Sequence, residues 1–583
     1  MLKLLRYLKP YWWQVLILLL ATVGQVYATL QLPAMMAGII NDGIVTGDTD
    51  YVWHTGLLMI LVAVVSGVCS LVANYFSARV GANFSRDLRA ELYQKVMTFG
   101  MADTKSYSTA SLINRTTNDV ARVQETMMML LSVALLAPLF CVISLVMAIQ
   151  TAPEMSWIIA VGVVAVVLSA GLILGITMPK FKVFQKLVDR VTLLTRENLT
   201  GLKVIRAFNN DRLEREKFDK TNLELTRLTI FVDRIMKLEG PLVNVILNGL
   251  TLICTFIGIS LLHVDFSYLG NMSAFAQYVT YVMMSFLMLS IVFVMIPRAS
   301  VCAGRINEVL KTDPRVKWRG ETKGVPDKVP SVEFRKVDFS YPGADEKVLD
   351  SVSFVARAGE TTAFIGSTGS GKSTLINLVP RFYEASGGEI LVNGLPIQNY
   401  EQDDLMRRIG LVPQRGLLFA GTVGSNIKFG APNATDEQVK KAAEVAQAAG
   451  FIEKLPGKYN AHIAQGGTNV SGGQRQRLSI ARAICKNPDI FIFDDSFSAL
   501  DMKTDAKLRA ALKPIIADMV TLVVAQRVNT IKDADQIVVL NNGRVVGKGR
   551  HLELLKKCAV YRDIVKSQLS EQEFKREMEA VDG

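Results

Sequence analysis

The octapeptide Gly366-Ser367-Thr368-Gly369-Ser370-Gly371-Lys372-Ser373 decides the fold of the C-terminal half of this chain. It follows a short apolar run, residues 361–365, and its lysine opens a segment of helical character. Strand, glycine-rich turn and helix in this order are typical of a phosphate-binding loop, in which backbone N–H groups face the phosphates. We therefore expect a soluble α/β domain of the P-loop nucleotidase type.

A second informative stretch, Asp489-Ile490-Phe491-Ile492-Phe493-Asp494-Asp495, is an apolar run that ends in two acids. Such a run predicts a buried strand, with its acids at the edge of the sheet beside the phosphate loop. Asp494 is then expected to hold Mg²⁺ together with the hydroxyl of Ser373, while Lys372 reaches the β and γ phosphates of ATP. Asp495 stands where a catalytic base is expected.

Between these two stretches lies Val470-Ser471-Gly472-Gly473-Gln474. With this element the C-terminal half resembles the nucleotide-binding domain of ABC transporters. In that family two domains face each other head to tail, and the signature sequence of one completes the ATP site of the other. The resemblance therefore implies a dimer.

The resemblance also implies roles for residues outside these motifs. Tyr341 is the candidate for stacking on adenine, although a tyrosine before a proline is also a common turn residue. Gln414 resembles the family's glutamine that contacts Mg²⁺ and the attacking water, and a polar strand end is the alternative. Asp501 resembles a loop residue that crosses to the opposite subunit. The expected nucleotide contacts are Tyr341, Gly366, Ser367, Thr368, Gly369, Ser370, Gly371, Lys372, Ser373, Thr374, Ser471, Gly472, Gly473, Gln474 and Asp501; the expected metal ligands are Ser373, Gln414 and Asp494; the expected catalytic residues are Asp495, Gln526 and Gln414.

Two of these positions depart from the family's pattern, which usually has Glu in place of Asp495 and His in place of Gln526. Aspartate is one methylene shorter than glutamate, and a misplacement of ~1 Å at a catalytic group can lower a rate roughly 10²-fold. An amide forms hydrogen bonds but cannot take up a proton as an imidazole does. ATP is expected to bind here and to turn over slowly. The alternative is that Asp and Gln suffice in a slower enzyme.

The N-terminal half has the charge pattern of membrane-spanning helices. Three windows, residues 10–78, 123–179 and 238–297, contain no Lys or Arg. A bilayer core of ~30 Å needs ~20 helical residues, and each window holds two apolar runs of about that length. We expect six helices in three hairpins, at residues 16–40, 55–78, 127–149, 156–178, 241–262 and 274–297.

The basic residues that produce the net charge of +12 cluster outside these windows. By the positive-inside bias, both termini are expected to be cytoplasmic. Because the positive charge follows the membrane topology, nucleic acid is not an expected partner.

Two polar arms, residues 79–126 and 180–237, separate the hairpins and resemble the intracellular loops that dock on the nucleotide-binding domains of ABC exporters. A solvated helical hairpin is the alternative. The expected organisation is an all-α transmembrane domain at 1–312, a linker at 313–330, the ABC-type domain at 331–569 and a charged tail at 570–583.

Six spans and one nucleotide domain are half of the family's usual assembly. The whole chain resembles the degenerate-site subunit of heterodimeric bacterial multidrug ABC exporters. This implies an ATP- and Mg²⁺-dependent half-transporter, multi-pass in the plasma membrane among its lipids, with a non-identical partner and a small amphipathic substrate. An ATP-binding regulatory subunit that gates a partner, or a transporter of lipids, peptides or siderophores, is the alternative.

Overall fold

The computed structural model describes residues 2–262, 268–318, 322 and 329–582 of the chain. The chain divides into two compact units. The first consists of Met1–Lys95 and Ala110–Lys311, and the second of Val96–Thr109 and Thr312–Gly583. Residues 319–321 and 323–328 of the expected linker lie outside the described residues.

The first unit is helical. Six helical stretches among the described residues are long and apolar enough to cross a membrane, as the sequence predicted. They are Lys3–Ile44, Thr49–Met97, Thr109–Thr151, Pro153–Thr200, Asp211–Ile259 and Leu269–Lys311. The protein is therefore a multi-pass membrane protein with an all-α membrane domain.

The individual helices run beyond the apolar segments into the polar arms, because the arms continue the helical pattern of the spans. In chain order they are α1 (Trp12–Gly38, continued by a π-helical turn at Ile39–Ile44), α2 (Thr49–Met97), α3 (Met101–Tyr107), α4 (Thr109–Asn114, continued by a π-helical turn at Arg115–Asp119), α5 (Val120–Thr151), α6 (Ser156–Thr200), α7 (Leu202–Ala207), α8 (Asp211–Lys237), α9 (Glu239–Leu262) and α10 (Tyr268–Lys311).

Helices α1, α5, α6, α9 and α10 share one buried apolar cluster. Apolar side chains are as well solvated by lipid as by a neighbouring helix, so membrane helices associate through close van der Waals packing. A Cβ on Gly162 would lie 2.5 Å from Leu250 Cδ1, so α6 and α9 meet at a residue without a side chain. The buried hydroxyl of Tyr278 donates to the carbonyl of Leu30 at 3.1 Å, which satisfies its polar end.

The second unit is an α/β domain built on a six-stranded sheet. Its strands are β1 (Ser331–Phe339), β2 (Leu349–Arg357), β3 (Thr361–Gly366), β4 (Gly387–Val392), β5 (Leu395–Pro396), β6 (Ile409–Val412), β7 (Gly421–Thr422), β8 (His462–Ile463), β9 (Ile490–Asp494), β10 (Val520–Val524), β11 (Gln536–Asn541) and β12 (Arg544–Gly549). The main sheet has the order β12-β11-β3-β10-β9-β6, and β2-β1-β4-β5 form a second sheet.

The helices of this unit lie between the strands and after the last strand. They are α11 (Lys372–Leu378), α12 (Gln402–Arg408), α13 (Val423–Ile427), α14 (Asp436–Val445), α15 (Ala449–Ile452), α16 (Gly472–Lys486), α17 (Met502–Leu512), α18 (His551–Lys557), α19 (Ala559–Gln568) and α20 (Glu571–Asp582). The expected α/β domain is confirmed.

The main sheet is buried on both faces. Successive residues of β3 point to opposite sides, so Ala363 and Ile365 belong to one apolar cluster and Phe364 to the other. A continuous apolar strand is what a parallel sheet that is covered on both faces requires.

The parallel register of β3, β10 and β9 positions the functional residues. Val524 pairs with Phe364 on one side and with Asp494 on the other. The three strands therefore end together, and the loops that follow them meet at one edge of the sheet, where open parallel sheets bind their ligands.

Candidate nucleotide-binding site

The phosphate loop joins β3 to α11 as the sequence predicted. Gly369 and Gly371 have φ of 85° and 96°, in the left-handed region that favours glycine. A Cβ on Gly369 would meet no atom within 4 Å, whereas one on Gly371 would lie 2.7 Å from Leu349 Cδ2. The loop therefore leaves room beside Gly369 and packs tightly at Gly371.

The side chain of Lys372 folds back onto the phosphate loop. Its Nζ donates to the carbonyls of Gly366 at 2.9 Å and Ser367 at 2.8 Å, and lies 3.3 Å from Ser370 Oγ. Burial lowers the pKa of Lys372, while the nearby carboxylates of Asp494 and Asp495 act in the opposite direction. A phosphate group would supply the negative charge that this partly desolvated ammonium lacks.

The two expected Mg²⁺ ligands lie in direct contact. Ser373 Oγ donates to Asp494 Oδ1 at 2.9 Å across the gap between α11 and β9. Burial raises the pKa of Asp494, Asp495 raises it further, and the Ser373 hydrogen bond and Lys372 lower it. A hydroxyl and a carboxylate are the hard oxygen donors that Mg²⁺ prefers, so these residues fit the metal.

Asp495 is held by two side-chain amides. Its Oδ2 accepts from Gln526 Nε2 at 2.9 Å and from Gln414 Nε2 at 3.3 Å. These residues follow β9, β10 and β6, so three neighbouring strands bring together the three expected catalytic residues. Asp495 also has a φ of 47°, a left-handed conformation that aspartate tolerates better than most residues.

The signature element begins α16, as predicted. Gln474 N–H donates to Ser471 Oγ at 3.3 Å, and Ser471 N–H donates to Gln474 Oε1 at 2.9 Å. This reciprocal capping box satisfies two backbone donors at the start of the helix. Gly472 and Gly473 follow the cap, and a Cβ on Gly473 would lie 3.4 Å from the carbonyl of Ala499.

Asp501 caps its own helix. Its Oδ1 accepts from Thr504 N–H at 2.9 Å, and its Oδ2 accepts from Thr504 Oγ1 at 2.7 Å at the start of α17. Its expected role opposite a second subunit stays a prediction.

Tyr341 lies in an aromatic group beside the phosphate loop. Its ring packs edge-on against Phe339 and Tyr383, and its hydroxyl is 2.9 Å from Thr374 Oγ1. Lys105 Nζ lies 5.2 Å from the centre of the Tyr341 ring. Stacking of adenine on Tyr341 stays a prediction, and its surroundings are compatible with it.

Lys105 comes from α3, at the tip of the first polar arm. The buried carboxylate of Asp103 ties α3 to the chain that follows α10, since its Oδ2 accepts from Gly100 N–H at 3.1 Å and from Arg315 N–H at 3.2 Å. This arm tip is therefore part of the second unit, while the tip of the second arm, α7, lies in the first.

The sequence did not single out Gln476, which supports the loop of Gln414. Buried within α16, it donates to the carbonyl of Pro413 at 3.0 Å and accepts from Gly416 N–H at 2.9 Å. Its only sequence signal is its place in a helix rich in Arg and Gln. The sequence also did not single out Gln568, which contacts the loop of Gln526.

Comparison with known proteins assigns the family. The family model of the ABC transporter transmembrane region matches residues 15–286, and that of the ABC transporter matches residues 349–498. An uncharacterised ABC transporter ATP-binding protein of Mycobacterium tuberculosis is 37% identical over 97% of this chain and 98% of its own length. The chain belongs to the ABC transporter family.

Two further relatives are similar over nearly the whole chain. An uncharacterised ABC transporter ATP-binding protein of Bacillus subtilis is 35% identical over 97% of this chain and 98% of its own length. An ATP-dependent lipid A-core flippase of Aromatoleum aromaticum is 32% identical over 95% of this chain and 93% of its own length.

A solved structure confirms the fold. It is that of a bacterial Atm1-family ABC exporter with ATP bound, which superimposes with a TM-score of 0.79 at 23% identity and covers 97% of this chain and 99% of its own. The transporter thus has an exporter-type fold, with six spans fused to one nucleotide-binding domain, and as a member of its family it binds and hydrolyses ATP, as the resemblance implied.

Proposed function

We propose that the transporter exports small amphipathic molecules across the plasma membrane as one half of a heterodimer. Both termini are cytoplasmic, in agreement with the location of its basic residues. Its own ATP site turns over slowly, and its signature sequence completes a faster site on the partner.

In this proposal ATP lies against the phosphate loop of residues 366–373, with adenine on Tyr341 and the β and γ phosphates near Lys372. Ser373, Gln414 and Asp494 would hold Mg²⁺. The metal neutralises charge on the phosphates. The contact between Ser373 and Asp494 supports this set, because both side chains already converge on one point.

The observation that carries the proposal of a slow site is the pair of amides on Asp495. Asp495 Oδ2 accepts from Gln526 and Gln414. Neither amide can take up a proton, so Asp495 lacks the neighbour that an imidazole would provide, and its own carboxylate is one methylene shorter than that of glutamate.

The signature supports the second half of the proposal. Ser471 and Gln474 form a complete capping box, and Gly472 has open space around it. A chain with an intact signature and a weakened base contributes most when its partner has a strong base. If it paired with itself, both composite sites would carry Asp495 and Gln526.

The test of the heterodimer is competitive capture from membranes. Two copies of the chain carrying different tags are expressed together with a related half-transporter that has Glu and His at the positions of Asp495 and Gln526. Capture on one tag should recover the related chain in equal amount and little of the second tag. Substantial recovery of the second tag with little of the related chain would show a homodimer and overturn this part of the proposal.

A lipid cargo is the second candidate, because one relative is named as a lipid A-core flippase and a lipid is itself amphipathic. Translocation of a fluorescent phospholipid and of a cationic dye should be compared in the same proteoliposomes. Transport of the lipid alone would favour the flippase activity over drug export.

A further inference from the structure

The last residue of α19, Gln568, contacts the loop that carries Gln526. Its Nε2 donates to the backbone carbonyl of Gln526 at 2.7 Å, and its Oε1 accepts from the backbone N–H of Val528 at 2.8 Å. The amide thus uses its donor and its acceptor on two backbone groups of one loop. Two such bonds restrict both the position and the rotation of the loop.

The helix that presents Gln568 is firmly anchored. Tyr561 and Val565, on the same helix, are fully buried in the apolar core of the unit. Val528, at the other end of the contact, is also buried. Gln568 therefore joins a well-buried helix to a loop in which Val528 is buried and Gln526 and Arg527 are exposed.

The side chain of Gln526 connects this loop to Asp495. Gln526 Nε2 reaches Asp495 Oδ2 at 2.9 Å, and Asp495, Gln526 and Gln568 line the same cleft of ≈ 500 Å³. The backbone that Gln568 holds is that of the residue whose side chain contacts the acid. Release of this backbone would let the Gln526 amide leave the carboxylate.

We propose that Gln568 is a positioning residue of the ATP site: it holds residues 526–528 so that Gln526 stays on Asp495. The inference rests on the proposed roles of Asp495 and Gln526 in hydrolysis. It extends the site to a helix close to the C-terminus of the chain, which contains none of the family motifs described above.

The first test is hydrogen exchange in the full-length transporter without nucleotide. Gln568→Met keeps the length of the side chain and removes both hydrogen bonds. The amide of Val528 should exchange several-fold faster in this variant, because it loses its acceptor. Ser567→Ala is the control, since the Ser567 hydroxyl donates to the carbonyl of Ile564 within its own helix. Unchanged exchange at Val528 in Gln568→Met would overturn the proposal.

The second test is ATP hydrolysis in proteoliposomes, with the catalytic base of any non-identical partner replaced. Loss of hydrogen bonds worth about 1 kcal/mol should lower kcat about 3- to 10-fold in Gln568→Met. KM for ATP should not change, because the described contacts of Gln568 are to the loop of residues 526–528 and not to the phosphate loop. A change in KM with constant kcat would contradict a positioning role.

A double-mutant cycle separates positioning from general stability. In a Gln526→Ala background Gln568→Met should cause no further loss, because the side chain that it positions is gone. An equal loss in both backgrounds would mean that Gln568 acts only on stability. If Gln526→Ala alone leaves kcat unchanged, the proposed role of Gln526 fails; if it lowers kcat while Gln568→Met does not, only the present inference fails.

Discussion

Gln526 donates a hydrogen bond from its side-chain amide to Asp495 Oδ2 at 2.9 Å. The Gln414 amide reaches the same oxygen at 3.3 Å. The pair therefore keeps a carboxylate where a catalytic base is expected, beside an amide that cannot take up and release a proton at neutral pH as an imidazole does.

The first prediction is that Asp495→Glu combined with Gln526→His raises hydrolysis at this chain's own site by about 10²-fold, the lower range for a working general base. Transport need not rise with it, because domain separation or product release can limit the cycle. The measurement is ATPase activity with the partner's base disabled. Hydrolysis at background level despite normal ATP binding would mean that these two residues do not explain the slow site.

The same double variant should lose some stability. Asp495 has a φ of 47°, and glutamate tolerates this conformation less well than aspartate. We expect a loss of about 0.5–1 kcal/mol in the free energy of unfolding. Gln526→His alone, which leaves this backbone position unaltered, is the control for thermal unfolding.

The second prediction concerns Ser471. Ser471→Ala should nearly abolish ATPase activity of the assembled complex, because this serine serves the partner's site, whereas Asp495→Asn should change it little. Thr435→Ala is a matched control: Thr435 caps α14 through the same capping box with Gln438. Both alanine variants should lose about 1 kcal/mol of stability from the missing cap. A reversed pattern, with Asp495→Asn inactive and Ser471→Ala active, would mean that this chain's own site does the work.

The third prediction is that Lys372→Ala weakens ATP binding about 10- to 100-fold, the effect of one charge-assisted hydrogen bond. Photolabelling of this subunit with a reactive ATP analogue measures it. Lys486→Ala is the control, because Lys486 Nζ also donates to two backbone carbonyls, those of Met406 and Ile409. Undiminished labelling of Lys372→Ala would refute the assignment of the phosphate loop.

The fourth prediction concerns pH. Burial raises the pKa of Asp494, with Asp495 and Lys372 beside it. Folding therefore favours the protonated acid, and its contribution to stability is present at low pH and is lost as pH rises through the raised pKa. Asp494→Asn, which cannot ionise, should raise the Tm of the nucleotide-free protein at neutral pH and not under acidic conditions.

Binding of Mg²⁺ with ATP tests whether Asp494 is a metal ligand. Mg²⁺ with ATP should stabilise the wild type increasingly as pH rises, because the metal binds ionised Asp494, and should stabilise Asp494→Asn less. Tm measured from about pH 3, below the ordinary carboxyl pKa, to about pH 8 tests both statements. Equal Mg²⁺-dependent stabilisation of the two proteins would exclude Asp494 as a ligand.

Much of this architecture follows from local sequence. Six apolar runs within windows free of Lys and Arg predict six spans, because the bilayer selects length and hydropathy irrespective of tertiary contacts. The phosphate loop is equally local, since Gly369 and Gly371 allow a backbone that few other residues adopt. The departures at Asp495 and Gln526 are local too, because each is a single residue within a short motif.

The sequence alone therefore establishes the fold class and the two kinds of domain, and it predicts which groups lie at the ATP site. Only the tertiary structure decided that Gln526 and Gln414 both bind one oxygen of Asp495, and that Gln568 and Gln476 hold the loops that carry them. These contacts join residues up to 81 positions apart in the chain. The parallel strand order β3-β10-β9-β6 brings them together, and periodicity and motif spacing carry no information about which glutamine lies opposite which backbone amide.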